Sequence, residues 1–354
     1  MTQLPDIGLK SVAVTDTDID ISEFGQAQEV FELREALRRT QVALSRSKKR
    51  VDELVDATIS SARDAVLSMG AIKITPPKPT KQSGKPEVAL WHLTDWQGAK
   101  VSSSYNSQVM SERVHLFVDS AAEITDIQRM HHPVTECAIV FGGDMVEGLF
   151  NFPTQPFEID STLFAQYVQV SRLLVEVVGR ALTIYDKVTV VAEWGNHGRI
   201  GSKRAAVPRS DNVDRMCYEL ARQLLAGESR LTWNDCPEDI QRLQIGEYRA
   251  IVLHGDEIGR NGFASQNTIV NHVNRWRSGA YPWKFLDAYL AHYHHHYEQS
   301  LADGRGHVYG TGSTESDNRY ASIGLASAGH PSQRLHFIDP RKGRVSAQYQ
   351  VYLD

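Results

Sequence analysis

The sequence predicts an α/β domain that follows a helical N-terminal arm. Three observations support this prediction. Apolar, strand-like runs alternate with helix-length segments from residue 87 onward, polar residues follow most of these runs directly, and a proline-rich segment precedes them. Alternating strands and helices are typical of a parallel sheet with helices on its faces. A functional site is therefore expected at the carboxyl ends of the strands.

The N-terminal region is predicted to consist of a flexible tail, residues 1–25, and a helical arm, residues 26–70. The arm contains no proline, and apolar residues recur in it every seven positions, as in a coiled coil. Thr40 and Ser47 interrupt this seam. A short coiled coil and a single amphipathic helix that packs on its own domain both remain open. The recurring residues are Val30, Leu37, Leu44 and Val51.

A linker is predicted for residues 71–86, because this segment contains four prolines among polar residues and proline cannot continue a helix. The rest of the chain, residues 87–354, is predicted to form one domain. Its first three strands are expected at 88–93, 138–141 and 188–192, where short apolar runs end in polar residues. Long segments between these runs predict helices at 108–130 and 163–185. Beyond residue 231 the segments become shorter and more strand-like, as at 248–253 and 288–290.

Composition excludes several classes of protein. With 354 residues, of which 41% are hydrophobic and 23% charged, the chain can bury a sizeable core. The net charge of -5 gives no overall basic signal for nucleic acid, although a local basic groove remains compatible with it. The three scattered cysteines do not predict a disulfide framework. With neither a signal peptide nor a membrane-spanning run in the sequence, a cytoplasmic location is expected.

Five clusters of oxygen and nitrogen donors each follow a strand-like run. Any one cluster alone would be an ordinary helix cap or surface group, but five in succession at strand exits are expected to converge on one edge of a sheet. Carboxylate, amide and imidazole ligands without thiolate suit Mn, Fe, Zn or Mg. The clusters are Asp95-Trp96-Gln97, Gly142-Gly143-Asp144, Gly195-Asn196-His197-Gly198, His254-Gly255-Asp256 and Ala291-His292-Tyr293-His294.

The order of these clusters resembles the calcineurin-like metallophosphoesterases over about residues 87–350. That pattern is D-x-H, GD, GNH, a lone H, and G-H-x-H. The resemblance implies a four-layer α/β/β/α sandwich that holds two divalent metal ions, with Mn expected and Mg, Fe or Zn as alternatives. A shared carboxylate would hold the two ions about 3.5–4 Å apart, the spacing that clamps the attacking and leaving oxygens in an in-line displacement.

The resemblance also implies a role for each matching residue. Asp95, Gln97 and His294 would bind the first metal, and Asp144 would bridge both metals. Asn196, His254 and His292 would bind the second. His197 would be the catalytic residue, protonating the leaving group or steadying the transition state.

Departures from the pattern bear on the metal ligands. Gln97 stands where the family usually has His, which implies a harder and weaker ligand that favours Mn or Mg. Ala291 replaces the usual Gly. The following run of histidines also allows His294 and His296 as the ligand pair, although His292 and His294 directly follow the apolar run.

Other polar residues near these motifs are candidates for supporting roles. Arg199 and Arg204 follow His197 and are predicted to bind a substrate phosphate, with a solvated basic loop as the alternative. Glu147 is a candidate for a carboxylate that supports a metal ligand from behind, with a helix-start acid as the alternative. Asp256 is a candidate for a carboxylate that supports His254 in the same way.

The substrate class is predicted from the residues that flank the motifs. Residues 143–148 and 195–198 lack the G-D-x-x-D-R-G and G-N-H-E extensions of protein phosphatases. Together with residues 312–321, they look like phosphoesterases of tailed bacteriophages, grouped with SbcD-type nucleases. This resemblance implies a DNA exo- or endonuclease in the host cytoplasm, with the N-terminal helix forming a homodimer or docking a partner ATPase. A phosphomonoesterase or cyclic-nucleotide phosphodiesterase, and a catalytically silent scaffold, remain as alternatives.

Overall fold

The structure is a computed structural model that describes residues 34, 35, 37–39, 60, 64, 74–78, 84–152, 154–201, 209–234, 240–258, 264–317 and 329–354. The chain divides into two compact units, residues 1–61 and 62–354. Residues 34, 35, 37–39, 60 and 64 are helical, whereas the predicted tail and the remainder of the predicted arm lie outside the described residues. The coiled coil and the linker boundary therefore stay predictions.

The first sheet has six strands in the order β11-β10-β1-β2-β3-β4. Its four parallel strands are β1 (Glu87–Leu93), β2 (Val134–Phe141), β3 (Lys187–Ala192) and β4 (Leu231–Asn234). The two antiparallel strands are β10 (Ser332–Asp339), which pairs with β1, and β11 (Arg344–Tyr352), which pairs with β10.

The second sheet has five strands in the order β5-β6-β7-β9-β8. Three of them are parallel, namely β6 (Tyr248–Leu253), β7 (Asp287–Leu290) and β9 (His307–Gly310). The outer strands β5 (Gln241–Ile245) and β8 (Tyr297–Ser300) are antiparallel to their neighbours.

Four helices flank the sheets, and each begins at a polar residue whose side chain accepts a hydrogen bond from the first turn. Such capping satisfies a backbone N–H that has no partner within the helix. The capping residues are Asn106, Thr162, Asn212 and Ser265. The helices that follow them are α1 (Ser107–Arg129), α2 (Leu163–Ile184), α3 (Val213–Leu224) and α4 (Gln266–Arg275).

The two sheets pack face to face, and the helices cover their outer faces. Along β1, Trp91 and Leu93 join the core under α1, α2 and α3, whereas Leu90 points into the core between the sheets. Along β6, Val252 points into the core between the sheets and Leu253 joins the core under α4. This alternation follows from the two-residue period of a strand. The four-layer α/β/β/α sandwich is confirmed.

The parallel strands of both sheets end at the place where the polar clusters lie. Three clusters follow β1, β2 and β3 of the first sheet, and two follow β6 and β7 of the second sheet. The expectation that all five would converge on one edge of one sheet was therefore wrong. The sequence shows where a strand ends but does not show which sheet the strand joins. Among the described residues, no helix combines the length and apolarity needed to cross a bilayer.

Candidate metal centre

The backbone is strained where the predicted ligands converge. Among the described residues, seven that are not glycine have a positive φ, and five of these are predicted ligands. Such a conformation is uncommon outside glycine and persists only where the surrounding structure holds it, often at functional sites. The five residues, with φ between 48° and 68°, are Asp95, Gln97, Asp144, His292 and His294.

Asp144 lies at the centre of one group of donors. His254 Nε2 lies 3.1 Å from Asp144 Oδ2 and 3.1 Å from Asn196 Oδ1. One donor atom each of Asp144, His254 and His292 lie within 4.8 Å of one another. Ligand bonds to a small divalent ion are about 2.0–2.2 Å long, so atoms this close together can contact a single ion.

His254 is oriented by a backbone carbonyl. Its Nδ1 lies 2.8 Å from Gly142 O, and since a carbonyl can only accept, Nδ1 carries the proton. Nε2 is thereby directed at Asp144 and Asn196, which is how a metal-binding imidazole is usually held. Burial lowers the pKa of His254, but the charge and hydrogen bond of Asp144 outweigh it and raise this pKa well above its usual value.

A second group of donors surrounds Asp95. His294 Nε2 lies 3.3 Å from Asp95 Oδ1 and 3.5 Å from Gln97 Nε2. The other ring nitrogen, His294 Nδ1, lies 3.3 Å from Glu315 Oε2. Burial lowers the pKa of His294, but the two carboxylates outweigh this effect and raise it to about 10.

His292 and Gln97 connect the two groups. The backbone N–H of His292 donates to Asp95 Oδ1 at 3.2 Å and to Oδ2 at 3.0 Å, while its ring centroid lies 5.0 Å from that of His254. Gln97 Nε2 lies 3.5 Å from Asp144 Oδ2. Asp144 is thus adjacent to donors of both groups, as a carboxylate shared between two ions would be.

Negative charge is concentrated at this centre. Burial raises the pKa of Asp144, but the imidazoles of His254, His197 and His292 lower it well below its usual range. Carboxylates that keep their charge while fully buried need a cationic partner. Histidine protons meet this need here, and a divalent cation would displace them on binding.

His197 lies beside the centre and is held by a carboxylate. Its Nδ1 lies 3.1 Å from Glu147 Oε2, and its Nε2 lies 4.0 Å from Asp144 Oδ2. Burial lowers the pKa of His197, but Glu147 and Asp144 raise it to about 9. Glu147 is itself fixed from the other side by Lys100, whose Nζ lies 3.3 Å from Glu147 Oε1 and 2.7 Å from Glu158 Oε2.

Asp214, in the first turn of α3, holds the loops after β2 and β3 together. Its Oδ2 accepts from Asp144 N at 2.8 Å and Gly195 N at 2.9 Å, and its Oδ1 accepts from Met145 N at 3.1 Å and Val146 N at 3.2 Å. The side chain is completely buried. Four backbone donors on one carboxylate fix the position of Asp144 relative to Asn196.

Sequence reasoning missed Asp214, Lys100 and Glu315. Glu315 was detectable, because the polar run after β9 is one more cluster at a strand exit. Asp214 carries only the signal of a helix start, two residues after the N-cap Asn212, and its distant partners leave no trace in the local sequence. Lys100 follows Gln97 by three residues without any motif.

The predicted phosphate-binding arginines are placed differently from one another. Arg204 lies outside the described residues. Arg199 Nη2 donates to Asp256 Oδ2, so its charge is already paired with a carboxylate. Asp256 also lies 3.8 Å from Arg209 Nη2. Both ring nitrogens of His254 have other partners, so the expectation that Asp256 orients His254 was wrong.

The alternative ligand pairs, His292 with His294 and His294 with His296, differ in the surroundings of their histidines. His294 contacts Asp95, as described above. Burial and the nearby Arg334 lower the pKa of His296 to about 3. A histidine beside a buried guanidinium is poorly placed to share a cation with Asp95. The geometry therefore brings His292 and His294 together at the centre.

Comparison with known proteins adds no assignment. No protein-family model matches the chain, and no curated protein matches it. Similar solved structures include Entamoeba histolytica Vps29 complexed with zinc, with a TM-score of 0.33, 9% identity and coverage of 75% of this chain and 99% of that chain. Chaetomium thermophilum Vps29 has a TM-score of 0.33 and 7% identity, with coverage of 75% of this chain and 100% of that chain. Thermus thermophilus sulfate thiohydrolase SoxB in complex with glycerol has a TM-score of 0.32 and 9% identity, with coverage of 78% of this chain and 58% of that chain. TM-scores this low carry no argument about the chain.

Proposed function

We propose that the chain is a dinuclear-metal phosphoesterase of the calcineurin-like superfamily that hydrolyses phosphodiester bonds. The observation that carries this proposal is the pair of adjacent donor groups at the strand ends. Asp144, His254 and His292 offer donor atoms within 4.8 Å of one another, and the Asp95–His294 pair lies directly beside them. Two adjacent sites that share a carboxylate are the arrangement of two-metal phosphoesterases.

The residues fit two divalent cations in chemistry as well as in placement. Asp95, Gln97 and His294 would hold the first ion, Asn196, His254 and His292 the second, and Asp144 would be shared. Gln97 Oε1 is buried and has no hydrogen-bond partner among the described residues. Because rotation of an amide by 180° exchanges its oxygen and nitrogen, this oxygen can turn toward the centre. Hard oxygen donors favour Mn or Mg, while imidazole also accepts Zn or Fe.

The bound ions would supply Lewis-acid stabilisation of the charge that develops on the phosphoryl oxygens. His197 would supply a proton to the leaving oxygen. Glu147 holds Nδ1 of His197, which leaves Nε2 on the side of Asp144, and the charge of Glu147 raises the pKa of the imidazole and so favours its protonated form. A proton held at Nε2 beside the donor groups is placed for general acid catalysis.

The paired cations around the centre favour a diester over a monoester. Within the part of the chain that the structure describes, Lys100, Arg199 and Arg209 each already contact a carboxylate. A terminal phosphate carries nearly two negative charges at pH 7 and is usually gripped by an available guanidinium or ammonium, whereas a diester carries one. This reasoning supports a phosphodiesterase, and the resemblance described above points to DNA as its substrate.

The proposal is tested by Mn-dependent cleavage of linear and single-stranded DNA, bis-p-nitrophenyl phosphate and p-nitrophenyl phosphate. Asp144→Ala and His197→Ala are compared with His115→Ala, an exposed histidine on α1. We expect both diester types to be cleaved by wild type and His115→Ala, with losses of at least about a hundredfold in the two site variants. Cleavage of the small diester alone would make the DNA assignment wrong, and faster monoester cleavage would favour a phosphomonoesterase. No cleavage with Mn, Mg, Zn or Fe would leave the scaffold alternative.

For the N-terminal arm we propose a partner-binding role, as a homodimer contact or a docking site for an ATPase. The test compares the mass in solution of the full chain with that of a form that lacks residues 1–70. This truncation keeps Ile74, which packs against the helix-covered core of the first sheet. A full chain that is monomeric, like the truncated form, would exclude the homodimer.

A further inference from the structure

We infer that Phe152, on the loop after β2, binds substrate by stacking on the nucleobase of the leaving group. This inference rests on the proposed function, because it takes His197 as the residue that protonates the leaving oxygen. A side chain that packs against the imidazole lies close enough to contact the departing alcohol. Phe152 is the aromatic residue that the structure places there.

The geometry of the two rings supports this assignment. The ring centroids of Phe152 and His197 lie 4.9 Å apart with an angle of 51° between the planes. Phe152 is only partly buried, and the side chain of His197 is 19% exposed. Part of the Phe152 ring is therefore accessible to a ligand that reaches the imidazole. The polar partners of the His197 imidazole include Glu147, Asp144 and Gln155.

Hydrogen bonds fix the loop that carries Phe152 to the centre. Buried Gln155 accepts from Asn151 N at 2.9 Å and Phe152 N at 3.1 Å, and its Nε2 donates to Glu147 O at 2.5 Å. Asn151 Nδ2 donates to Asn196 O at 2.5 Å. These bonds tie the backbone of Phe152 to Glu147, which holds the general acid, and to a predicted metal ligand. A ring whose backbone is held in this way is partly preorganised for stacking.

The same loop offers a second aromatic ring. Phe157 ends the short 3-10 turn Gln155–Phe157 and is 88% exposed. Aromatic side chains beside a phosphate-binding site are typical of proteins that bind single-stranded nucleic acid, because every base has a stacking face. The class of substrate indicated is thus a phosphodiester whose leaving alcohol is a nucleoside, and not an aliphatic alcohol or a phospholipid headgroup.

The test uses dinucleotide substrates that differ only in a base. Thymidylyl-thymidine is compared with analogues in which an abasic residue replaces the thymidine on one side or the other of the scissile bond. The variants are Phe152→Leu, which keeps an apolar side chain without a stacking face, and Phe152→Trp, which restores one. Tyr352→Leu, a 56% exposed ring on β11, is the matched control.

We expect KM of wild type to rise about tenfold when the leaving thymidine loses its base, as loss of one aromatic stack predicts. In Phe152→Leu this ratio of KM values should fall toward one, while Phe152→Trp and Tyr352→Leu should keep the wild-type ratio. Inhibition of bis-p-nitrophenyl phosphate cleavage by free thymidine should weaken in Phe152→Leu by a similar factor.

Two results would overturn the inference while leaving the proposed function intact. One is an unchanged ratio in Phe152→Leu, and the other is an equal loss of kcat on all substrates, which would mean that Phe152 only packs against His197. Failure of wild type to cleave bis-p-nitrophenyl phosphate with any of the four metals would instead contradict the proposed function, and the inference would fall with it.

Discussion

At the scale of single residues, the centre combines strained backbone with fixed hydrogen bonds. Each non-glycine residue held at positive φ costs on the order of 1–3 kcal/mol. Asp95 compensates by donating its N–H to Gly143 O at 3.0 Å, and Gln97 donates its own to Asp144 O at 2.9 Å. These two bonds join the loop after β1 to the loop after β2. The loops that carry Asp95 and Asp144 are therefore held side by side.

Under the proposed function, Gln97 would set the strength of the first metal site. Imidazole binds Zn²⁺ more strongly than a neutral amide oxygen does, so we expect Gln97→His to raise the affinity of one site for Zn²⁺ roughly tenfold relative to Mg²⁺. The measurement is a chelator competition on the metal-free protein. Gln97→Met has a similar length and no oxygen donor, so it should weaken the same site. Equal affinities in wild type and both variants would show that Gln97 is not a ligand.

Glu315 should act on the first site through His294. Because a carboxylate behind the imidazole orients the ring and increases its basicity, its removal commonly weakens a metal site by about 10–100-fold. We expect Glu315→Gln to weaken one of two Mn²⁺ sites by such a factor and to leave the other unchanged, as measured by electron paramagnetic resonance titration. Glu176→Gln, at an exposed position on α2, is the control. Equal weakening of both sites would contradict a role confined to His294.

At the scale of secondary-structure elements, helix α3 has two separate functions. Its apolar face, which includes Cys217 and Leu220, packs into the core on the first sheet. Its first turn places Asp214 under the loops after β2 and β3. Because both functions depend on where the helix begins, the N-cap at Asn212 indirectly sets the position of Asp144.

Asp214→Asn should damage stability and metal binding together. Asparagine offers one acceptor oxygen, so its amide N–H₂ would face two of the four backbone donors. We expect the free energy of unfolding to fall by about 2–4 kcal/mol, as measured by denaturant titration, and Mn²⁺ affinity to fall as well. Asp211→Asn, at an exposed position just before the helix, should change stability by less than about 0.5 kcal/mol. A stable variant with weakened metal binding would show that the two effects are independent.

Among the strands, local sequence predicted those that are mostly apolar and missed β10, in which polar residues alternate with apolar ones. The strands at 248–253 and 288–290 agree with β6 and with β7 to within one residue. β10 was not predicted, because Arg334 and His336 interrupt its apolar residues although both are completely buried. Their burial depends on partners from the other sheet, including Tyr289 and Tyr297. Such partners cannot be read from a local pattern.

The same division applies to the centre. Asp95, Asp144 and His254 were predictable because each directly follows a strand-like run, and the fold brings strand ends together. The pairing of Arg199 with Asp256 was not predictable, because the two residues are 57 positions apart and lie on loops that belong to different sheets. Motifs thus indicate donors, whereas the charge balance around them depends on the tertiary structure.

At the scale of the whole domain, a chain of hydrogen bonds crosses the core between the two sheets. Arg334 Nη1 lies 3.0 Å from His336 Nε2, and His336 Nδ1 lies 2.9 Å from Tyr289 OH. Tyr289 OH lies 3.0 Å from Tyr248 OH, which donates to Asp287 Oδ2 at 2.8 Å. Burial and Arg334 lower the pKa of His336 well below its usual value, so this ring is neutral. The hydrogen bonds therefore all donate in one direction, from the guanidinium of Arg334 to the carboxyl group of Asp287.

Asp287, the last residue in this series of hydrogen bonds, predicts how the free energy of unfolding depends on pH. Burial raises the pKa of Asp287 to about 6 from 3.8, and the bonds from His307 N and Tyr248 only partly offset this effect. The folded protein therefore holds this proton more tightly than the unfolded chain. The stabilisation is complete below pH 3.8, declines as pH rises toward 6, and is absent above 6. With 1.36 kcal/mol per pKa unit, the contribution of Asp287 to the free energy of unfolding falls by about 3 kcal/mol over this whole pH range.

Asp287→Asn removes this titration, so the free energy of unfolding of the variant minus that of wild type should rise by about 2.5 kcal/mol between pH 4 and pH 7. The measurement is urea unfolding of both proteins across that range. Only the change with pH is diagnostic, because asparagine also alters the bond to Tyr248 by an amount that does not depend on pH. Asp303→Asn provides a control of opposite sign. Arg277 holds the pKa of Asp303 down to about 2, so the stabilisation that Asp303 contributes is lost only as pH falls toward that value. A difference that stays flat from pH 4 to pH 7 would show that the carboxyl group of Asp287 does not titrate in this range and that its pKa is not raised.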